Sequence, residues 1–162
     1  MECRWLNVAR SGGERAGRVA ELLGQHRYQL DAKGRIALPG KFRDAFADGL
    51  YLTLGQDGPL YGFPRQEFLR RAQEVQSRPI DSAQGRAYAR MFFHTAEEVE
   101  LDKQGRLVIP ARLRQAIGLE REAVVIGVYD RMEVWSTPNW DAYQQLYGPS
   151  YSSGQMGMEG RQ

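Results

Sequence analysis

Apolar residues change their spacing several times along this chain, and each change marks an element. Residues 25–30 (QHRYQL) alternate as a half-buried strand does, and Arg35–Leu38 is a short β-favouring run. Phe42, Ala45 and Phe46 then fall at i, i+3 and i+4, the stripe of a short amphipathic helix. Leu50–Leu54 and Leu60–Phe63 predict two more strands around a turn at Gln56–Pro59. Phe68, Ala72 and Val75 predict a helix over Pro64–Arg78.

The chain then repeats this order. Residues 30–46 (LDAKGRIALPGKFRDAF) and 101–117 (LDKQGRLVIPARLRQAI) align without a gap at an offset of 71. Thr95–Leu101, Arg106–Ile109, Ala123–Val128 and Met132–Trp135 are the second set of strands, with a turn at Tyr129–Arg131. Leu113, Ala116 and Ile117 mark the second short helix. Thr137 as N-cap and Pro138 at N1 open a last helix to Tyr147, with Trp140, Tyr143 and Tyr147 apolar. Each copy reads ββαββα. Half a core each is too little for independent stability, so the copies should interlock into one α+β unit with pseudo-twofold symmetry.

Residues 81–93 lie between the copies and predict one more helix, with Tyr88, Met91 and Phe92 toward the core. Residues 1–22 and 148–162 show neither period and predict disorder. The expected organisation is an N-terminal extension over 1–22, a first unit over 23–70 and connecting helices over 71–93. A second unit over 94–140 and a closing segment over 141–162 complete it.

Composition narrows the class. A hydrophobic content of 42% and a charged content of 26% in 162 residues fit a soluble globular protein. No apolar run approaches the roughly 20 residues that span a bilayer, and no signal-peptide core is present. Cys3 is the only cysteine, and with His26 and His94 it forms no metal-site spacing. No metal, cofactor, catalytic nucleophile or small-molecule substrate is expected, because no Walker, dinucleotide or nucleophile motif occurs. Glu97, Glu98 and Glu100 read as a solvated strand face.

The net charge of +2 is less telling than its distribution. Lys33, Arg35, Lys41 and Arg43 crowd the first copy, and Lys103, Arg106, Arg112 and Arg114 the second. Each copy carries a turn that opens with Asp and closes with Arg four residues on: Asp31 to Arg35, and Asp102 to Arg106. Gly34 and Gly105 supply the positive φ that such a turn demands. One reading is an ion pair that braces an exposed loop. The other gives the residues separate work: Asp31 and Asp102 shape the turn, while Arg35 and Arg106 present planar forks to phosphate or to guanine O6 and N7. Lys33 and Lys103 at the tips, with Arg43 and Arg114 beyond, extend the basic strip. Two matched loops on a pseudo-twofold suit a DNA duplex better than a small molecule, and several phosphate contacts would make binding salt-dependent.

At these residues the chain resembles the MraZ family of bacterial transcriptional regulators, built from two SpoVT/AbrB-like units. The paired DxxxR motifs at Asp31–Arg35 and Asp102–Arg106 carry the resemblance, with GVYDRMEVW and the following Trp140. It spans about Leu23 to Tyr147. The resemblance implies a swapped-hairpin, AbrB-like fold related to double-psi barrels. It implies a cytoplasmic, nucleoid-associated DNA-binding protein that self-associates into rings. Its operators would be G-rich direct repeats of double-stranded DNA upstream of the division and cell-wall gene cluster, its own gene included, which it would repress. The family's motif arginine maps to Arg35 and, in the second unit, to Arg106.

The family begins only a few residues before the first motif. An upstream start codon is therefore expected in the gene as read, with the native start near Val19 to Leu23. Two other classes fit the residues less well. An AbrB-like antitoxin would want a C-terminal segment that folds on a toxin, and the Gly/Ser-rich tail argues against it. An enzyme would need clustered titratable groups in a pocket, and the sequence offers only the Asp/Arg pairs.

Overall fold

A computed structural model describes residues 21–157. The expectation for residues 1–20, and that for 158–162, lies outside the described residues. The first unit contains β1 (Leu22–Gln29), β2 (Arg35–Ala37), α1 (Gly40–Ala45), β3 (Leu50–Leu54), β4 (Leu60–Pro64) and α2 (Arg65–Gln76). After α3 (Ala83–Phe93) come β5 (Glu97–Val99), β6 (Arg106–Val108), α4 (Ala111–Ala116), β7 (Glu122–Tyr129), β8 (Met132–Ser136) and α5 (Thr137–Ser152). The result is a mixed α+β fold of two repeated units with antiparallel sheets.

The units interlock through their strands. The larger sheet runs β1-β7-β8-β4-β3-β5, and β2 pairs with β6 in a separate ribbon. That order is symmetric about its centre: the first strand of each unit pairs with the third strand of the other. Tyr61 of β4 lies opposite Glu133 of β8, its own counterpart 72 residues on, so the pseudo-twofold passes through this pair. The turn at 31–34 therefore does not lead into an ordinary two-stranded hairpin. Only its closing bonds and, in the second unit, a single Leu101–Leu107 bridge remain local. Burial decides this: exchanged pairing puts Leu22, Ile36 and Leu107, all 1% exposed or less, into one shared core.

Side chains alternate across the larger sheet. Leu50, Leu52, Leu60, Met132 and Val134 face the main core, closed by Phe42 of α1 with Phe46 at its end, Leu113 of α4 with Ile117 at its end, and the ribbon. Phe63 faces the other way, against Val75 of α2 and Phe92 of α3. Trp135 packs there on Trp140 and Tyr143 of α5, at 5.3 and 5.0 Å between ring centroids. The long helices thus cover one face, leaving the ribbon and its loops on the other.

Four details differ from the sequence reading. Leu22, assigned to the extension, begins β1 because it is a core residue. Met91 points outward at 61% exposure, since the stripe of α3 turns Phe92 inward instead. The N-cap of α5 is Ser136, not Thr137. That helix also continues past Tyr147 to Ser152, with Pro149 inside it. Proline removes one donor, yet the bonds from Ser153 to Pro149 and from Gly154 to Tyr151 finish the last turn.

Candidate nucleic-acid interface

Each Asp-x-x-x-Arg turn is built by its aspartate. Asp31 Oδ1 accepts from the backbone N–H of Lys33 at 2.9 Å and of Arg35 at 3.0 Å. Asp102 Oδ1 accepts in the same way from Gln104 and Arg106, both at 2.9 Å. Gly34 and Gly105 then take φ of 73° and 74°, the left-handed region that lets the chain turn back. The turns match in hydrogen bonding and glycine φ but differ in their tip residues. Lys33 stands where the second loop has Gln104, and Lys103 where the first has Ala32, so the two lysines extend the strip from different positions.

The other carboxylate oxygen holds the arginine. Arg35 Nε donates to Asp31 Oδ2 at 2.6 Å, and Arg106 Nε to Asp102 Oδ2 at 2.7 Å. No acceptor among the described residues bonds the terminal nitrogens of either guanidinium, so both forks are oriented yet unsaturated. Both aspartates are held below the ordinary carboxylate range, first by the backbone N–H of Arg35 or Arg106 and then by the guanidinium itself. The acid therefore stays ionised and the arginine stays braced. Bracing and presentation are compatible, because the brace uses Nε and leaves the fork.

Strand register brings the two arginines together. In the ribbon Arg35 faces Val108 and Ala37 faces Arg106, while Ile36 and Leu107 between them point into the core. Arg35 and Arg106 are thus diagonal neighbours on the outward face, their α-carbons roughly 7–8 Å apart. A two-stranded ribbon of this kind fits a major groove about 12 Å wide. Arg43 and Arg114 do not simply prolong the strip. Each lies against the glycine of the other unit's loop: a Cβ placed on Gly34 would sit 2.6 Å from Arg114 Cζ, and one on Gly105 2.9 Å from Arg43 Nη1. Sequence spacing cannot reveal this, because it depends on the exchange of strands.

The histidines and acids outside the loops have structural surroundings. His26 packs edge-on against Phe42, and His94 Nδ1 sits 2.9 Å from the Arg90 carbonyl of its own helix. Glu97 pairs with Arg112 and Glu98 with Arg65. Sequence reasoning missed a buried polar cluster on the axis, in which Glu133 accepts from Arg131 Nη2 and Trp135 Nε1, both at 2.9 Å. Alternation along MEVWS places Glu133 and Trp135 on one face, a signal that was available but ambiguous. Among the described residues no group of acids, histidines or cysteines has metal-site geometry, and no helix is long and apolar enough to cross a membrane.

Comparison with known proteins agrees with the repeat. The family model described as "MraZ protein, putative antitoxin-like" matches twice, over residues 22–91 and 92–151. The transcriptional regulator MraZ of Salinispora arenicola is 46% identical over 121 residues, covering 75% of this chain and 85% of that protein. Its namesake in Saccharopolyspora erythraea is 45% identical, covering 80% and 91%. That of Heliobacterium modesticaldum is 37% identical, covering 80% and 90%. With both repeats matched and relatives aligned over most of their length, the chain belongs to the MraZ family.

Proposed function

We propose that this protein is a cytoplasmic, nucleoid-associated DNA-binding transcriptional regulator that represses the division and cell-wall gene cluster containing its own gene. It acts on G-rich direct repeats in double-stranded DNA. One observation carries the reading: Arg35 and Arg106 stand as diagonal neighbours on one outward ribbon face, each with Nε held and its fork unpaired. Arginine forks suit guanine O6 and N7, which agrees with G-rich operators. Lys33 and Lys103 at the loop tips add charge for the phosphates. The relatives' shared name, transcriptional regulator, supports the same conclusion.

Self-association into a ring belongs to this reading, because many weak heads bound to tandem repeats gain through effective concentration. Exposed Leu146, Tyr147 and Tyr151 on α5, and an apolar groove beside Tyr88 and Met91, give two unlike surfaces on one chain. Unlike surfaces make head-to-tail contacts, which form a ring where the rotation between neighbours closes. A toxin bound to α5 is the competing occupant that the family description suggests. Light scattering of the purified protein separates them: an oligomer formed alone supports self-association, and a monomer at all concentrations contradicts it. For the DNA reading, footprinting of the region upstream of the gene should show protection over spaced G-rich repeats. Protection spread evenly along the duplex would overturn it.

A further inference from the structure

We infer that Arg114 and Arg43 are positioning residues that act across the pseudo-twofold, each holding the other unit's reading loop. Arg114 of α4 sets the loop that presents Arg35, and Arg43 of α1 sets the loop that presents Arg106. This rests on the DNA-binding reading for its consequence, though not for its geometry.

The contacts are reciprocal. A Cβ built on Gly34 would meet Cζ, Nε and Nη1 of Arg114 within 2.8 Å; one built on Gly105 would meet Cδ, Nη1 and Nε of Arg43. The Arg114 guanidinium therefore lies against Gly34, and the end of the Arg43 side chain, Cδ with two guanidinium nitrogens, lies against Gly105, where any other residue would displace it. The glycines serve twice, for the left-handed φ and for this close approach. A planar guanidinium can stack on a peptide; an ammonium cannot. Neither the Arg43 nor the Arg114 side chain has a hydrogen-bond partner among the described residues, so no acid diverts it from the loop.

The two contacts are unequal. Arg114 Nε is buried without a partner, and Gly34 is also tied to the second unit by the Ile109 N–H, which donates to its carbonyl at 3.1 Å. Arg114, Asp31 and Ala32 line one open groove. Arg43 is exposed. The first loop is thus held more firmly from across the axis than the second. Each fork consequently answers to both units, because the loop that presents it is held by an arginine of the other unit.

Amide hydrogen exchange on the free protein tests this without DNA, using Arg114→Lys and Arg43→Lys, which keep the charge and the apolar stem. Arg114→Lys should speed exchange several-fold at the Gly34 and Arg35 amides and leave Gly105 and Arg106 unchanged; Arg43→Lys should do the reverse, more weakly. Faster exchange in neither loop, or equally in both, overturns the proposal. Binding then reads the consequence. Arg114→Lys should lower the preference for operator over scrambled duplex while sparing scrambled binding. Its effect should overlap that of Arg35→Ala in a double-mutant cycle and add independently to that of Arg106→Ala. Additivity with both arginines would mark a plain phosphate contact and overturn the positioning role. A wild type that shows no operator preference, with the crossed exchange pattern intact, would refute the DNA reading and leave the positioning role standing.

Discussion

Ile36 of β2 pairs with Leu107 of β6, and Leu107 is the residue that repeats Ile36 in the second copy. Both are at most 1% exposed. The two halves therefore meet through the same position seen twice, directly beneath the outward face that carries Arg35 and Arg106. The ribbon rests on this shared pair and on the core behind it.

Truncating that pair should unfold both halves together. Leu107→Ala leaves a cavity at the axis and should cost about 3 kcal/mol. Urea unfolding followed by tryptophan fluorescence and by circular dichroism should give one coincident transition, shifted to lower denaturant. Two separated transitions would show that the units fold independently.

The axis has a polar end as well. Glu133 is 7% exposed and receives Arg131 and Trp135 at once, so Glu133→Ala leaves a half-buried guanidinium with Asp130 as its remaining acid among the described residues. A loss of about 3 kcal/mol is expected in the same urea measurement. A variant as stable as wild type would mean that the cluster is solvated and adds little.

Acid should loosen the loops in a defined direction. Asp31 and Asp102 have folded-state values below 3.8, their ordinary carboxylate value. Their stabilisation is complete above that value and is lost as pH falls through the lower folded one. Thermal melts should show Asp31→Asn/Asp102→Asn losing less stability than wild type across that acid window. Equal losses would show that other carboxylates govern the acid transition.

The strands and helices were legible because burial imposes a period, and Leu50–Leu54 is a strand over the bounds its alternation marks. The repeat announced the symmetry. What the sequence concealed was partnership: which strands pair depends on contacts far apart in the chain, so the turn at Asp31 resembled a local hairpin. Arg43 and Arg114 were visible as charges, yet their crossing to Gly105 and Gly34 exists only once the strands exchange. Residues 148–152 lack an apolar period yet continue α5, because an exposed helix tolerates the one donor missing at Pro149. Met91 and Phe92 are adjacent apolar residues, and only packing decides which of them turns inward.

The central claim is that Arg35 and Arg106 read guanine. Fluorescence anisotropy with the duplex upstream of the protein's own gene, against a scrambled duplex at two salt concentrations, tests it most directly when repeated with Arg35→Ala. The account predicts tight, salt-dependent binding of the native sequence and a loss of about 1–3 kcal/mol of that preference in the variant, with an unchanged thermal melt. Equal affinity of wild type for both duplexes, or a folded Arg35→Ala that keeps the full preference, would contradict it.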